Sequence, residues 1–357
     1  MSLTEASYYF RKYLPFAVVA FLILLIVFYI FKLLFIYLGT LSQPKTISYY
    51  EIQGIEGFKL EKPQFFDNKL ATSSQDLKYV LDNPEGRPID ASSAAYVYYV
   101  PPTAGKIENK TKAENIAAQP QFGFAKSTMK KVLNSKEYKY TFSDMYRKLD
   151  IDLTNFNFTY KYEMKRNKQL FTKVKIPSET AIKDAAIDFL KKIDKYPEEL
   201  AQGTMNIIYI NYSQSTDTST VVKRSKDANL VEVDFFRADI SVLKVVTPTY
   251  FNSQNYVIFI PTEDGNNLMS AQVRFFAKSD DLTGVYALKT GEEAWQNLAT
   301  GSANVVYNGS DKKTITIRKM ELHYYDPDVY QQTIQPVYVF LGDNFAAYVP
   351  ALKESYY

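Results

Sequence analysis

The chain has 357 residues, with 42 lysines and arginines, 39 aspartates and glutamates, one histidine and no cysteine. Such a balanced charge gives no long-range field for nucleic acid, and the lack of cysteine excludes disulfides, thiolate zinc sites and cysteine nucleophiles. Thirty tyrosines and 24 phenylalanines favour strands, so the composition predicts a sheet-rich protein with a few helices.

An apolar run over residues 16–38, interrupted only by Lys32, predicts a single transmembrane helix. A hydrocarbon core of about 30 Å needs about 20 helical residues, which this run supplies. The run also exceeds the apolar core of about 7 to 15 residues in a signal peptide, so an uncleaved anchor is favoured over a cleaved leader. The residues expected to contact lipid include Phe16, Leu24, Phe31 and Leu38.

Two basic residues, Arg11 and Lys12, stand just before this run. Under the positive-inside rule they keep residues 1–15 in the cytoplasm. The sequence therefore predicts a cell-membrane protein whose C-terminal part lies outside the cytoplasm.

Residues 39–110 are broken up by prolines and predict a juxtamembrane stalk with short strands, of which Ala95 to Val100 is the clearest. Three helix starts follow. Thr111 to Glu114 and Thr290 to Glu293 match the capping box, and Ser178 is a candidate N-cap. Each start leads into strands, which predicts helix–sheet units over 111–176, 177–288 and 289–357.

An internal repeat supports these units. Val231 to Ile240 aligns without a gap on Met320 to Val329, and most of the ten pairs are identical or similar in character. Val231, Val233 and Phe235 alternate with polar or aromatic residues and are expected to face a covering helix. The predicted fold class is therefore α+β, with one transmembrane helix followed by tandem helix-on-antiparallel-sheet units.

Short motifs in these units resemble a known family. Ser178-Glu179-Thr180-Ala181 and Thr290-Gly291-Glu292-Glu293-Ala294, each followed by strands, resemble the start of PepSY-like units. The final pair of aromatic strands around Gly342-Asp343-Asn344 resembles their terminal hairpin. The tandem arrangement is similar to membrane-anchored regulators of the YycH and YycI type. That resemblance implies binding to a membrane or cell-envelope protein, such as a sensor kinase or a protease, without catalytic residues.

Few side chains offer chemistry. His323 is the only histidine, and its equivalent in the repeat is Asp234, so an exposed strand position is favoured over a catalytic or metal site. Asp326-Pro327-Asp328 is more typical of a turn than of a calcium site. The sequence predicts no catalytic residue, no cofactor and no metal.

The function expected from the sequence is that of a non-enzymatic regulatory protein that binds another protein, with the bilayer contacted by the N-terminal helix. Exposed sheet aromatics are the candidate contacts, namely Phe236, Tyr325 and Tyr348. Two alternatives stay open, an anchored cell-wall hydrolase and a structural subunit of a surface assembly. A surface cleft lined by paired acids would favour the hydrolase, whereas an apolar patch would favour binding or assembly.

Overall fold

The computed structural model describes residues 14, 16, 18–34, 48–65, 77–89, 91–310 and 312–357. The chain divides into two compact units, Met1–Ser48 and Tyr49–Tyr357. The larger unit contains all the strands discussed below.

The described part of the smaller unit is helical over residues 18–34. Residues 14 and 16 are helical as well. Among the described residues, no helix is both long enough and apolar enough to cross a membrane. The predicted single-pass anchor, which included Phe16, Leu24 and Phe31, is therefore wrong, and so is the membrane localisation based on it. The other residues of that prediction, Arg11, Lys12 and Leu38, lie outside the described residues.

The larger unit is built mainly from strands, as its aromatic composition favours. In chain order the described strands are β1 (Lys78–Leu81), β2 (Ala94–Tyr99), β3 (Lys130–Asn134), β4 (Lys139–Ser143), β5 (Arg147–Asp152), β6 (Phe158–Tyr162), β7 (Met205–Ser213), β8 (Thr218–Val222), β9 (Leu230–Phe235), β10 (Val245–Val246), β11 (Tyr256–Thr262), β12 (Gly265–Val273), β13 (Thr283–Ala287), β14 (Asn304–Asn308), β15 (Thr314–Tyr325), β16 (Thr333–Ile334), β17 (Pro336–Gly342) and β18 (Phe345–Pro350).

The helices of this unit are short. They are α1 (Ile107–Ala117), α2 (Glu179–Lys192), α3 (Glu198–Ala201) and α4 (Gly291–Ala299). Ser178 caps α2 by accepting a hydrogen bond from the backbone N–H of Ala181, as predicted. Thr290 and Glu293 form the predicted capping box of α4. The capping box expected at Thr111 is wrong, because α1 already begins at Ile107 and the Glu114 carboxylate accepts from the Tyr140 hydroxyl at 2.8 Å.

The largest sheet has nine strands in the order β3-β4-β5-β6-β12-β11-β9-β7-β8, all with antiparallel neighbours. One face packs against α1 and α2. Val231, Val233 and Phe235 on β9 share this core with Ile182 and Phe189 of α2, which confirms the predicted orientation of that strand. Because side chains alternate along a strand, Glu232 and Asp234 belong to the opposite face.

A second sheet contains β1, β15, β17, β18 and β14 in that order, with β10 added in parallel beside the end of β15. Helix α4 packs against it through Ala294 and Leu298, in one core with Met320 and Leu322 of β15. A three-stranded sheet, β13-β2-β16, completes the unit. Strand β1 shows that part of the segment predicted as a stalk belongs to a sheet.

The predicted fold class is corrected in two respects. The described chain is mostly sheet, with three sheets and short helices. The expected units are also not separate helix-on-sheet layers, since β6 pairs with β12 and so joins strands of the first and second predicted units in one sheet. The backbone N–H and C=O groups at the edge of the first predicted unit form hydrogen bonds with those of the second. Local sequence patterns do not encode such a pairing between distant strands.

Candidate functional site

The three aromatic residues predicted as exposed contacts do not form a surface patch. Tyr325 and Tyr348 are 2% and 0% exposed, and their rings pack together at 6.0 Å. The Tyr348 hydroxyl donates to the backbone carbonyl of Thr247 at 2.8 Å. Phe236 is only half-buried. The prediction of exposure is therefore wrong for Tyr325 and Tyr348, because both faces of their sheet are covered.

His323 is also buried, contrary to the exposed position predicted for it. It is 5% exposed, and its Nε2 lies 3.2 Å from a carboxylate oxygen of Glu321. Burial lowers the pKa of His323, because the charged imidazolium loses its hydration. The neutral ring is therefore the form that the fold favours near neutral pH.

Two residues at equivalent positions of the repeat, Arg237 and Asp326, form a buried ion pair with one another. The Arg237 Nε lies 3.0 Å from the Asp326 carboxylate, and both side chains are 1% exposed or less. The guanidinium also donates to Glu199 at 2.5 Å and to the backbone carbonyl of Phe276 at 2.6 Å. The Asp-Pro-Asp motif thus supplies a partner for a buried ion pair, which the sequence pattern did not indicate.

An open cleft lies over the polar face of the nine-stranded sheet, beside Asp328. We call it the acidic cleft. Its volume is about 360 Å³, and it is lined by Glu232, Pro248, Thr249, Asn252, Ser253, Gln254, Tyr256, Ile258, Gln272 and Asp328. The sheet supplies the floor, since Ile258 pairs with Glu232, while Tyr256 pairs with Gln272. The loop between β10 and β11 supplies one wall.

Glu232 lines the floor of the acidic cleft and forms a carboxyl pair with the buried Asp234. They stand two residues apart on β9 and therefore point to the same face. Asp234 is fully buried. Burial, together with the neighbouring Glu232 carboxylate, raises the pKa of Asp234 to about 8. Burial also raises the pKa of Glu232. The pair is close enough to share one proton, which avoids two adjacent negative charges in a desolvated site.

A second open cleft, which we call the amide cleft, adjoins the first. Its volume is about 480 Å³, and it is lined by Pro102, Thr103, Asp152, Thr154, Asn155, Asn157, Gln272, Arg274, Phe276, Asp328, Val329 and Tyr330. Gln272 and Asp328 border both clefts. The two together form one polar surface that runs across strands β9, β11 and β12.

Each cleft contains a buried amide with one hydrogen-bonding atom left over. In the amide cleft, Asn157 accepts from the backbone N–H of Phe275 at 3.2 Å, while its Nδ2 has no partner. In the acidic cleft, Gln254 donates to Asp326 at 2.7 Å, while its Oε1 has no partner. Asn157 and Gln254 are 1% and 6% exposed. Buried polar atoms normally have hydrogen-bond partners, so these two atoms are exceptions among the residues that line the clefts.

Metal binding has little support in the described part of the chain. No group of three or more histidine, aspartate or glutamate side chains there is arranged to hold an ion. The Glu232–Asp234 pair supplies two carboxyl groups, and His323 pairs only with Glu321 among the ion pairs of the described residues.

Sequence reasoning missed the cleft, although one signal was present. Glu232 and Asp234 alternate with Val231, Val233 and Phe235, which places two acids on one face of a strand that is apolar on the other. The loop that forms the wall, with Gln254 at its end, carries no motif that would have revealed its position.

Comparison with known proteins adds no function. No protein-family model matches the sequence, and no curated protein matches it. Among solved structures, the chain is similar to an uncharacterized protein from Eubacterium rectale ATCC 33656, whose crystal structure was determined at 1.45 Å resolution. The sequences are 10% identical, and the match covers 80% of this chain and 96% of that chain with a TM-score of 0.36. The function must therefore be argued from the clefts.

Proposed function

We propose that this chain is a non-enzymatic regulatory protein that acts by binding another protein, and that the two adjoining clefts receive an extended segment of that partner. The observation that supports the proposal is the continuous polar surface formed by the two clefts, which share Gln272 and Asp328. The resemblance to regulators of the YycH and YycI type supports a sensor kinase or a protease as the partner.

The leftover amide atoms suit a polypeptide backbone. An extended peptide presents both N–H donors and C=O acceptors, each of which needs a partner when it is removed from water. Asn157 offers a donor in one cleft, and Gln254 offers an acceptor in the other. A peptide that lies across both clefts would satisfy both atoms.

The outer wall of the amide cleft offers apolar contacts. Val329 is 49% exposed and Tyr330 is 40% exposed, next to Asp328 in the chain. Tyr330 is anchored by a hydrogen bond from its hydroxyl to the backbone carbonyl of Val100 at 3.0 Å. A fixed tyrosine at the border of a polar cleft is typical of binding hot spots, because little entropy is lost when it contacts a partner.

Peptide display tests the proposal directly. The purified full chain is used to select binders from a random peptide library, and binding of the enriched peptides is then measured with variants. We expect Asn157→Ala and Gln272→Ala to weaken binding about tenfold or more each, since both remove contacts in the clefts. Thr220→Ala, on the exposed edge strand β8, serves as the control. Failure to enrich any peptide, or binding that the cleft variants leave unchanged, would contradict the proposal.

A hydrolase is the second candidate, favoured by the carboxyl pair in the acidic cleft. Glycosidases place their two carboxyl groups about 5 Å or more apart, whereas Glu232 and Asp234 are close enough to share a proton. The pair is therefore better suited to binding than to glycoside cleavage. Purified cell-wall polysaccharide incubated with the chain provides the test. If reducing ends are released, and Glu232→Gln abolishes their release, the hydrolase is favoured over the binding protein.

A further inference from the structure

The floor and wall of the acidic cleft present hydrogen-bond acceptors without matching donors. Oε1 of Gln254 is buried and has no donor from a neighbouring group, whereas the buried Asp234 carboxyl has the backbone N–H of Ser253 and the Glu232 carboxyl beside it. Glu232 borders the cleft and adds a second carboxyl group. Among the ion pairs of the described residues, none involves Glu232 or Asp234. These acceptors have different origins, since Gln254 belongs to the loop wall and the two acids to β9.

Such a site is suited to a ligand that carries several donors and a positive charge. A protein oxygen that is buried without a donor costs free energy, and two adjacent carboxylates also repel each other. In the free protein, a proton shared by the two carboxyl groups relieves their repulsion. It provides a hydrogen-bond donor to few of the carboxyl oxygens. An ammonium group has three hydrogen-bond donors and a guanidinium group has five. Both also carry a positive charge, which complements the Glu232–Asp234 pair.

We infer that the acidic cleft holds the ammonium or guanidinium group of a lysine or arginine side chain carried by the partner segment, an inference that rests on the proposed function. Asp328 adds a further carboxylate at the border. Arg274 lies in the amide cleft and disfavours a second cation there. The charges therefore also set the direction in which the segment lies across the two clefts.

The inference requires that binding displaces the shared proton. The titratable groups near the pair on adjacent elements are Tyr256 on β11 and Asp328 on the loop after β15, and Arg274, just after β12, interacts with both of them. Below the pKa of the pair, a cation must compete with the proton, so its affinity is expected to rise up to about tenfold for each unit of pH. A neutral ligand of the same shape has no such dependence.

Thermal stabilisation of the full chain by small probes tests this site. The probes are Nα-acetyl-lysine amide, its arginine counterpart and Nα-acetyl-norleucine amide, which keeps the aliphatic chain without the charge. Calcium chloride is a separate probe, since oxygen acceptors also suit that ion. We expect the two basic probes to raise the melting temperature at millimolar concentration, more at about pH 8 than at about pH 6, and norleucine amide to leave it unchanged.

Matched variants locate the effect. Glu232→Gln and Asp234→Asn keep the side-chain shape and are expected to reduce the affinity for the basic probes about tenfold or more. Glu263→Gln, an exposed glutamate next to the β11–β12 turn, is expected to leave it unchanged. Equal stabilisation by norleucine amide, stabilisation by calcium alone, or no loss in the Glu232 and Asp234 variants would overturn the inference. Display-selected peptides that bind the clefts without a basic residue would overturn it while leaving the proposed function intact.

Discussion

At the scale of single residues, burial sets the protonation of two groups that occupy equivalent positions of the repeat. Asp234 and His323 are both nearly or fully buried. Burial raises the pKa of Asp234 to about 8 and lowers the pKa of His323. The directions are opposite, but the cause is the same, since low hydration favours the neutral form of either group.

The shift at Asp234 predicts a pH-dependent stability. Its carboxyl has an ordinary pKa of 3.8 and is raised to about 8 by the fold. Between these values the folded state holds a proton that the unfolded state has released, so the free energy of unfolding falls as pH rises through this window. We expect Asp234→Asn to flatten that part of the profile, measured by urea unfolding at several pH values.

An exposed aspartate provides the control for this experiment. Asp281 lies on a surface loop. Asp281→Asn is therefore expected to leave the slope of the free energy of unfolding against pH as it is in the unmodified chain. Parallel profiles for the Asp234 variant and the unmodified chain would show that Asp234 does not retain its proton in the folded state.

At the scale of elements, alternation along β9 explains how one strand serves both the core and the cleft. Val231, Val233 and Phe235 pack towards α2, while Glu232 lines the cleft and Asp234 lies buried on the same face of the strand. The apolar half of the strand holds the acid pair in place, because a one-residue slip would exchange the two faces.

Truncation of Val233 tests the core side of β9. Val233 is 0% exposed, so Val233→Ala removes buried methyl groups and is expected to lower the free energy of unfolding by about 1 to 3 kcal/mol. Val221→Ala makes the same change on edge strand β8, where the side chain is 73% exposed, and is expected to cost less than about 0.5 kcal/mol. Chemical unfolding of both variants gives the comparison. Equal costs would show that β9 is not packed against α2.

At the scale of the larger unit, the Arg237–Asp326 pair ties the nine-stranded sheet to the second sheet. Arg237 follows β9, and Asp326 follows β15 directly. Glu199, from the short helix α3, contacts the same guanidinium. The ends of the two repeat strands are therefore held together next to the acidic cleft, where Gln254 also donates to Asp326.

Removal of this arginine is expected to be costly. Arg237→Met leaves the fully buried Asp326 without its charged partner, which predicts a loss of about 3 to 5 kcal/mol in the free energy of unfolding. Arg224→Met breaks an exposed ion pair with Asp227 and is expected to cost less than about 1 kcal/mol. Urea unfolding compares the two. A loss at Arg237 no larger than that at Arg224 would contradict a role in joining the sheets.

The sequence by itself determined the local features of this protein. The Ser178 and Thr290 caps and the core face of β9 follow from contacts a few residues apart, whose spacing is visible in the chain. The same patterns failed where distant segments competed. The Glu114 carboxylate accepts a hydrogen bond from the Tyr140 hydroxyl, and α1 begins at Ile107, five residues before the first helical residue expected after an N-cap at Thr111.

Only the tertiary structure decided how the strands combine and where polar groups meet. The pairing of β6 with β12 merged two predicted units, and packing on both faces buried Tyr325, Tyr348 and His323. The acidic cleft brings Glu232 together with Gln254 from a separate loop. Local periodicity determines on which face of a strand a side chain lies. Whether that face is covered or open to a ligand depends on hydrogen bonding between distant strand edges and on the loops that pack over the sheet.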